Sequence, residues 1–127
     1  MQAIILAGGR GERLSPFTNT RPKGMLEIEG KPILEYQLEW LKKHKVKRVV
    51  FACGYLSEVI KEHFGDGGKY SLEIDYSIEK TPLGRGGALK KAWEKILPGG
   101  LVIATNGDIY TEMDLQRYYS NNLFISI

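Results

Sequence analysis

Apolar positions follow two patterns along this chain. In the first they are contiguous. Residues 3–7 (Ala-Ile-Ile-Leu-Ala), 48–53 (Arg-Val-Val-Phe-Ala-Cys) and 101–105 (Leu-Val-Ile-Ala-Thr) are short runs, each followed within three residues by glycine. Runs of that length bounded by turn residues predict strands buried on both faces of a sheet. Residues 72–78 alternate and predict a further strand. In the second pattern apolar residues recur at helical spacing. Pro32 opens a helix with Leu34, Leu38 and Leu41 on one face and Lys42-Lys43 near its end. Ser57 is placed as the N-cap of a helix through Phe64, with Val59, Ile60 and Phe64 inward and Gly65 just past the end. Residues 86–96 fit a third helix, with Ala88, Leu89, Ala92 and Ile96 on one face. A short helix over 114–119 and a fifth strand over 123–127 complete the reading.

Strands alternating with helices predict an α/β fold, a doubly wound and mostly parallel sheet with helices on both faces. In such sheets ligands bind outside the carboxyl ends of the strands. The segments at 8–11, 54, 79–87 and 106–108 follow strands and belong on that edge.

Composition narrows the class. The chain has 127 residues, 43% apolar and 26% charged, the mixture of one globular domain. Lys plus Arg exceed Asp plus Glu by 18 to 15, a net +3. That is too weak to argue for nucleic acid, though it suits a phosphorylated small molecule. No run approaches the ~20 apolar residues of a membrane span, so no membrane partner is expected. The first residues lack the basic region of a signal peptide. One cysteine, Cys53, permits no internal disulfide and suggests a reducing cytoplasm. Cys53, Trp40 and Trp93 read as packing residues, and His44 and His63 as helix-end residues rather than ligands.

The candidate chemistry begins at Leu6-Ala7-Gly8-Gly9-Arg10-Gly11-Glu12-Arg13-Leu14. A glycine-rich turn after a buried strand lets backbone N–H groups approach an anion. A dinucleotide fingerprint fails because Leu14 stands where its third glycine belongs, and a Walker A loop before Gly30-Lys31 fails at Met25. A glycine loop with Arg13 close behind and Lys23 ten residues later suits a polyphosphate. A plain tight turn with solvated Arg and Lys fits the spacing equally well.

LAGGRGERLSPFT followed by RPKGMLEIEGKPILEY resembles the signature of the sugar-1-phosphate nucleotidyltransferases, in look nearest their mannose- and heptose-1-phosphate guanylyltransferases. Glu79-Lys80-Thr81-Pro82-Leu83-Gly84 and Asn106-Gly107-Asp108 match two further family segments in order. Two positions depart: Glu12 stands where threonine is usual, and Arg85 where a small residue is common.

The resemblance implies a Rossmann-like nucleotidyltransferase fold. It also implies attack of a sugar-1-phosphate on the α-phosphorus of a nucleoside triphosphate, releasing pyrophosphate. It implies nucleotide contacts from Leu6, Ala7, Gly8, Gly9 and Gly11, with Arg13 on the leaving pyrophosphate and Lys23 near the reacting phosphates. Asp108 would ligate Mg²⁺. Glu79, Pro82 and Gly84 would meet the base. An ionised carboxylate only accepts hydrogen bonds, which matches the adjacent donors of guanine and favours GTP.

The resemblance covers the first half of a typical family member. Residues 1–127 are therefore expected to be a nucleotide-binding half, truncated and short of the sugar-binding half, with little turnover alone. The apolar 123–127 strand would need cover, so homo-oligomerisation stays open. A noncatalytic nucleotide or nucleotide-sugar binding module is the alternative.

Overall fold

The computed structural model describes residues 1–9, 15–16 and 19–108. In chain order the elements are β1 (Gln2–Ala7), β2 (Glu27–Ile28), β3 (Lys31–Pro32), α1 (Ile33–Lys43), β4 (Arg48–Cys53), α2 (Ser57–Phe64), β5 (Glu73–Ile78), α3 (Gly84–Trp93) and β6 (Val102–Asn106). The contiguous apolar runs become parallel strands in the order β5-β4-β1-β6. Ala7 pairs with Cys53 on one side of β1, and Leu6 with Asn106 on the other.

Alternation across the strands explains why these runs need no polar face. Ala3, Ile5, Val49, Phe51 and Cys53 join the layer that holds Leu34, Leu38 and Leu41 of α1 and Ile60 and Phe64 of α2. Ile4, Val50 and Ala52 point the other way, onto Ala92 of α3. Helices on opposite faces follow from the strand order. The chain steps from β1 outward to β4 and β5, then returns across β1 to β6, and one hand of crossover places the last helix on the far side. The order reverses between β1 and β6, which opens a crevice at their carboxyl ends. Phe51 anchors the larger layer, its ring stacked 5.3 Å from Phe64 and 5.8 Å from Tyr76.

The sequence reading needs correction in several places. Ser57 does not cap α2. Leu56 holds that position in a left-handed conformation (φ 52°), with no side-chain cap, and Ser57 N–H bonds to Gly54 O. The third helix begins at Gly84 and ends at Trp93, because Lys95 and Ile96 bond back three residues to Ala92 and Trp93 and tighten the chain into a turn. Trp93 is not a packing residue but is 55% exposed, whereas Trp40 is buried. The antiparallel pair β2–β3 was not foreseen. Its turn residues Glu29 (φ 53°) and Gly30 (φ 80°) are both left-handed, the geometry of a two-residue hairpin, without the Asn-Gly or Asp-Gly pair that announces one. The helix expected over 114–119 and the strand over 123–127 lie outside the described residues.

These packing roles separate under mutation. Phe51→Ala should lower stability by about 3–5 kcal/mol, as for a large buried aromatic. Trp93→Ala should change it by no more than about 0.5 kcal/mol, as for an exposed position. Urea unfolding followed by circular dichroism measures both.

Candidate active site

A cavity of about 380 Å³ opens over the carboxyl ends of the parallel strands. β1 and the turn after it supply Leu6, Ala7, Gly8 and Gly9. The end of β6 supplies Asn106, Gly107 and Asp108, and a short 3₁₀ turn at Lys23–Met25 supplies Lys23 and Gly24. Ala52 of β4 and Glu79, just beyond β5, form the opposite wall. Pro82, Gly84, Arg85 and Ala88 close it from α3 and the segment before it.

Backbone approaching backbone sets the polar end. Gly107 N–H bonds to Leu6 O at 2.8 Å, carrying the β1–β6 ladder one residue past the strand. The buried Gln37 of α1 donates from Nε2 to Asn106 O and holds that end in place. A Cβ added to Gly24 would lie 2.9 Å from Gly107 O and 2.8 Å from Leu34 Cγ. Only glycine fits that gap, and the close approach lets the two segments deliver their next side chains together. Lys23 Nζ lies 2.7 Å from Asp108 Oδ2. The Lys23 ammonium beside it holds the Asp108 carboxyl below the usual carboxylate range, and the charge of Arg85 adds a smaller pull in the same direction.

Glu79 is fixed by a second close approach. Its N–H continues the β4–β5 ladder to Cys53 O at 2.9 Å, and its Oε2 accepts from Leu83 N–H at 3.0 Å. The side chain then lies across two glycines. A Cβ on Gly8 would collide with Glu79 Oε1, and one on Gly54 would lie 2.9 Å from its Cγ.

Of the residues singled out in the sequence, Leu6, Ala7, Gly8, Gly9, Lys23, Glu79, Pro82, Gly84 and Asp108 are thus gathered around one cavity. Gly11 and Arg13 lie outside the described residues. Gly24 and Ala52 were missed; glycine directly after Lys23 was the available signal for the first, and the alanine carries none. His44 and His63 do not line the cavity. Burial pushes the Cys53 thiol up to about 11, which keeps it protonated and inert at neutral pH. No described helix is long and apolar enough to cross a membrane.

The Lys23–Asp108 pair predicts a titration. The folded carboxyl titrates below its unfolded value, so the pair's contribution to stability is in place above about pH 4 and disappears as pH falls through the folded-state pKa. Lys23→Met should raise the Asp108 pKa toward the ordinary carboxylate value. Gly24→Ala, which wedges the segments apart, should do the same with Lys23 intact. Carboxyl NMR titration checks both, and an unmoved Asp108 would mean that the contact does not form in solution.

Comparison with known proteins places this geometry. Residues 2–122 match the family described as nucleotidyl transferase. Over 121 residues the chain is 45% identical to the D-glycero-α-D-manno-heptose 1-phosphate guanylyltransferase of Campylobacter jejuni, covering 95% of this chain and 53% of that protein. It is 37% identical over 115 residues to the N-acetylmuramate α-1-phosphate uridylyltransferase of Neisseria meningitidis, covering 90% of this chain and 49% of that one. The crystal structure of HddC from Yersinia pseudotuberculosis complexed with GMP-PN superposes with a TM-score of 0.80 at 36% identity, over 96% of this chain and 54% of that chain. The chain spans about half the length of these relatives. With the fold, the order of motifs and the match in agreement, the chain belongs to the nucleotidyl transferase family.

Proposed function

We propose that the protein serves transfer of a nucleotidyl group from GTP to a sugar-1-phosphate, with residues 1–127 forming the nucleotide-binding half. The observation that carries this reading is the convergence of Gly8, Gly9, Lys23, Glu79 and Asp108 on one cavity at the switch point of the sheet. A guanylyltransferase among the relatives, and a solved relative holding GMP-PN, support the choice of GTP. The uridylyltransferase relative marks the alternative base.

The division of labour follows from residue chemistry. Leu6, Ala52, Pro82 and Ala88 give the cavity apolar walls that suit a flat base. Glu79 accepts from the base edge, where guanine offers two adjacent donors. The backbone at Gly8 and Gly9 runs close beneath the phosphates without side chains in the way. Lys23 holds the α-phosphate against the incoming sugar phosphate. The resemblance assigns Gly11 to the same loop and Arg13 to the leaving pyrophosphate. The cavity's chemistry is positioning and charge neutralisation, since phosphoryl transfer asks little covalent work of a protein.

Asp108 is the proposed Mg²⁺ ligand. No group of three or more His, Cys, Asp or Glu gathers to hold a metal among the described residues. One carboxylate fits Mg²⁺, which keeps waters and takes phosphate oxygens from its substrate, and does not fit a metal caged by protein alone. When bound, the ion would neutralise charge developing on the phosphate oxygens.

The test is pyrophosphate release, with calorimetry of GTP and UTP binding. The wild type should bind GTP more tightly than UTP, and Glu79→Gln should narrow or reverse that order. Asp108→Asn should abolish the Mg²⁺ dependence of nucleotide binding with the fold intact. Lys23→Ala and Arg13→Ala should each weaken triphosphate binding or turnover by about 1.5–3 kcal/mol, the range of a charge-assisted hydrogen bond. Lys42→Ala, exposed at the end of α1, should change nothing. A wild-type preference for UTP would overturn the guanine reading, and equal effects at Lys23 and Lys42 would overturn the site.

A further inference from the structure

The cavity carries four described charges: Lys23, Arg85, Glu79 and Asp108. Three are already engaged. Lys23 and Asp108 pair at 2.7 Å, and the Glu79 carboxylate accepts from Leu83 N–H. Arg85 lines the same cavity and makes no ion pair among the described residues. Its charge reaches the polar end, where it acts on Asp108. It sits in the first turn of α3, which contains no acidic residue to neutralise it. Position 85 is, with Glu12, one of the two at which this sequence departs from the pattern it resembles, where a small residue is common.

We propose that Arg85 is a phosphate-anchoring residue of this cavity, a contact that a small side chain at its position could not make. A guanidinium offers a planar fork of N–H donors that matches two oxygens of one phosphate. An anion entering the cavity meets Lys23 already occupied by Asp108, so Arg85 is the described cation with no carboxylate to displace. The inference rests on the proposed nucleotide site but not on which base it prefers. The phosphate has two sources, the nucleotide and the sugar-1-phosphate, and the experiment separates them.

Wild type, Arg85→Ala and Arg85→Lys are titrated by calorimetry with GTP, guanosine and α-D-mannose 1-phosphate, after a wild-type screen of the four nucleoside triphosphates. Arg85 is exposed, so thermal unfolding should be unchanged by either substitution. Lys90→Ala, an exposed charge on the same helix outside the cavity, is the control for simple loss of a cation. Arg85→Ala should weaken GTP about 10–100-fold, the worth of a charge-assisted hydrogen bond, and leave guanosine unaffected. Arg85→Lys should recover part of the loss, and the GTP affinity of Arg85→Ala should be less sensitive to salt. Loss for mannose 1-phosphate with GTP untouched would keep the phosphate role and assign it to the sugar substrate. Equal loss for GTP and guanosine would overturn the proposal, because Arg85 would then touch base or ribose. So would affinities matched across wild type, Arg85→Ala and Lys90→Ala. If the screen finds another triphosphate bound more tightly, that nucleotide and its nucleoside replace GTP and guanosine; the guanine reading fails and the Arg85 test stands. Absence of all nucleotide binding by the wild type would overturn both.

Discussion

The structure depends on a strand with no polar face. β1 is paired on both edges and buried on both sides, Ala3 and Ile5 against one layer of helices and Ile4 against the other. A parallel strand so placed can meet solvent only at its ends. The chain leaving β1 reaches α1 on one face of the sheet, whereas β6 is reached from α3 on the other, and the strand order reverses between them, so a crevice opens above the carboxyl end of β1. The cavity is a consequence of this order. Glycines 8 and 9 then keep the mouth of the strand free of side chains, where any Cβ on Gly8 would strike Glu79.

The same economy governs charge. Two cations and two carboxylates of the described chain face one small cavity. Burying them without partners would be unfavourable, and Lys23 and Asp108 resolve this by pairing. Each remains more than a third exposed, so the pair lies in a well-solvated setting where water screens it. A pair of that kind is weak enough to exchange partners. In the proposed reading a phosphate draws the ammonium away, and the freed carboxylate then faces a divalent cation. The depressed Asp108 carboxyl keeps it ionised for that exchange throughout the neutral range. The ion pair and the proposed ligand contacts therefore use the same two groups.

The elements were legible where one physical rule dominated. Contiguous apolar runs marked β1, β4 and β6 because burial on both faces leaves no alternation to misread. Periodicity likewise found α1 and the inward faces of α2. It failed where local backbone overruled side-chain preference. Ser57 has the chemistry of a cap, yet the left-handed Leu56 takes that place. Trp93 lies within the helical pattern but off the face of Ala88, Leu89, Ala92 and Ile96 that meets the smaller apolar layer. The β2–β3 hairpin is two residues a side, too short for any periodic signal. For the site, the motifs gave the residues at strand ends, and topology brought them together. Gly24 escaped because its requirement is a contact with Gly107, more than eighty positions away, which no local pattern records.

One further constraint joins backbone to base choice in the proposed reading. Leu83 N–H donates to Glu79 Oε2, and that bond fixes which atom of the side chain is committed to the protein. The remaining oxygen, Oε1, lies over Gly8 at the cavity wall and can only accept. An amide at the same position would satisfy the Leu83 N–H with its carbonyl oxygen and turn its NH₂ toward the cavity. The backbone bond therefore converts a one-atom difference between carboxylate and amide into an inversion from acceptor to donor at the base edge. Guanine presents donors to such a group, whereas the Watson–Crick edge of uracil presents one donor between two acceptors. A site that orients its reading group by a backbone contact has no freedom to rotate and compensate. Discrimination then comes as much from the mismatch left unpaired as from the match gained.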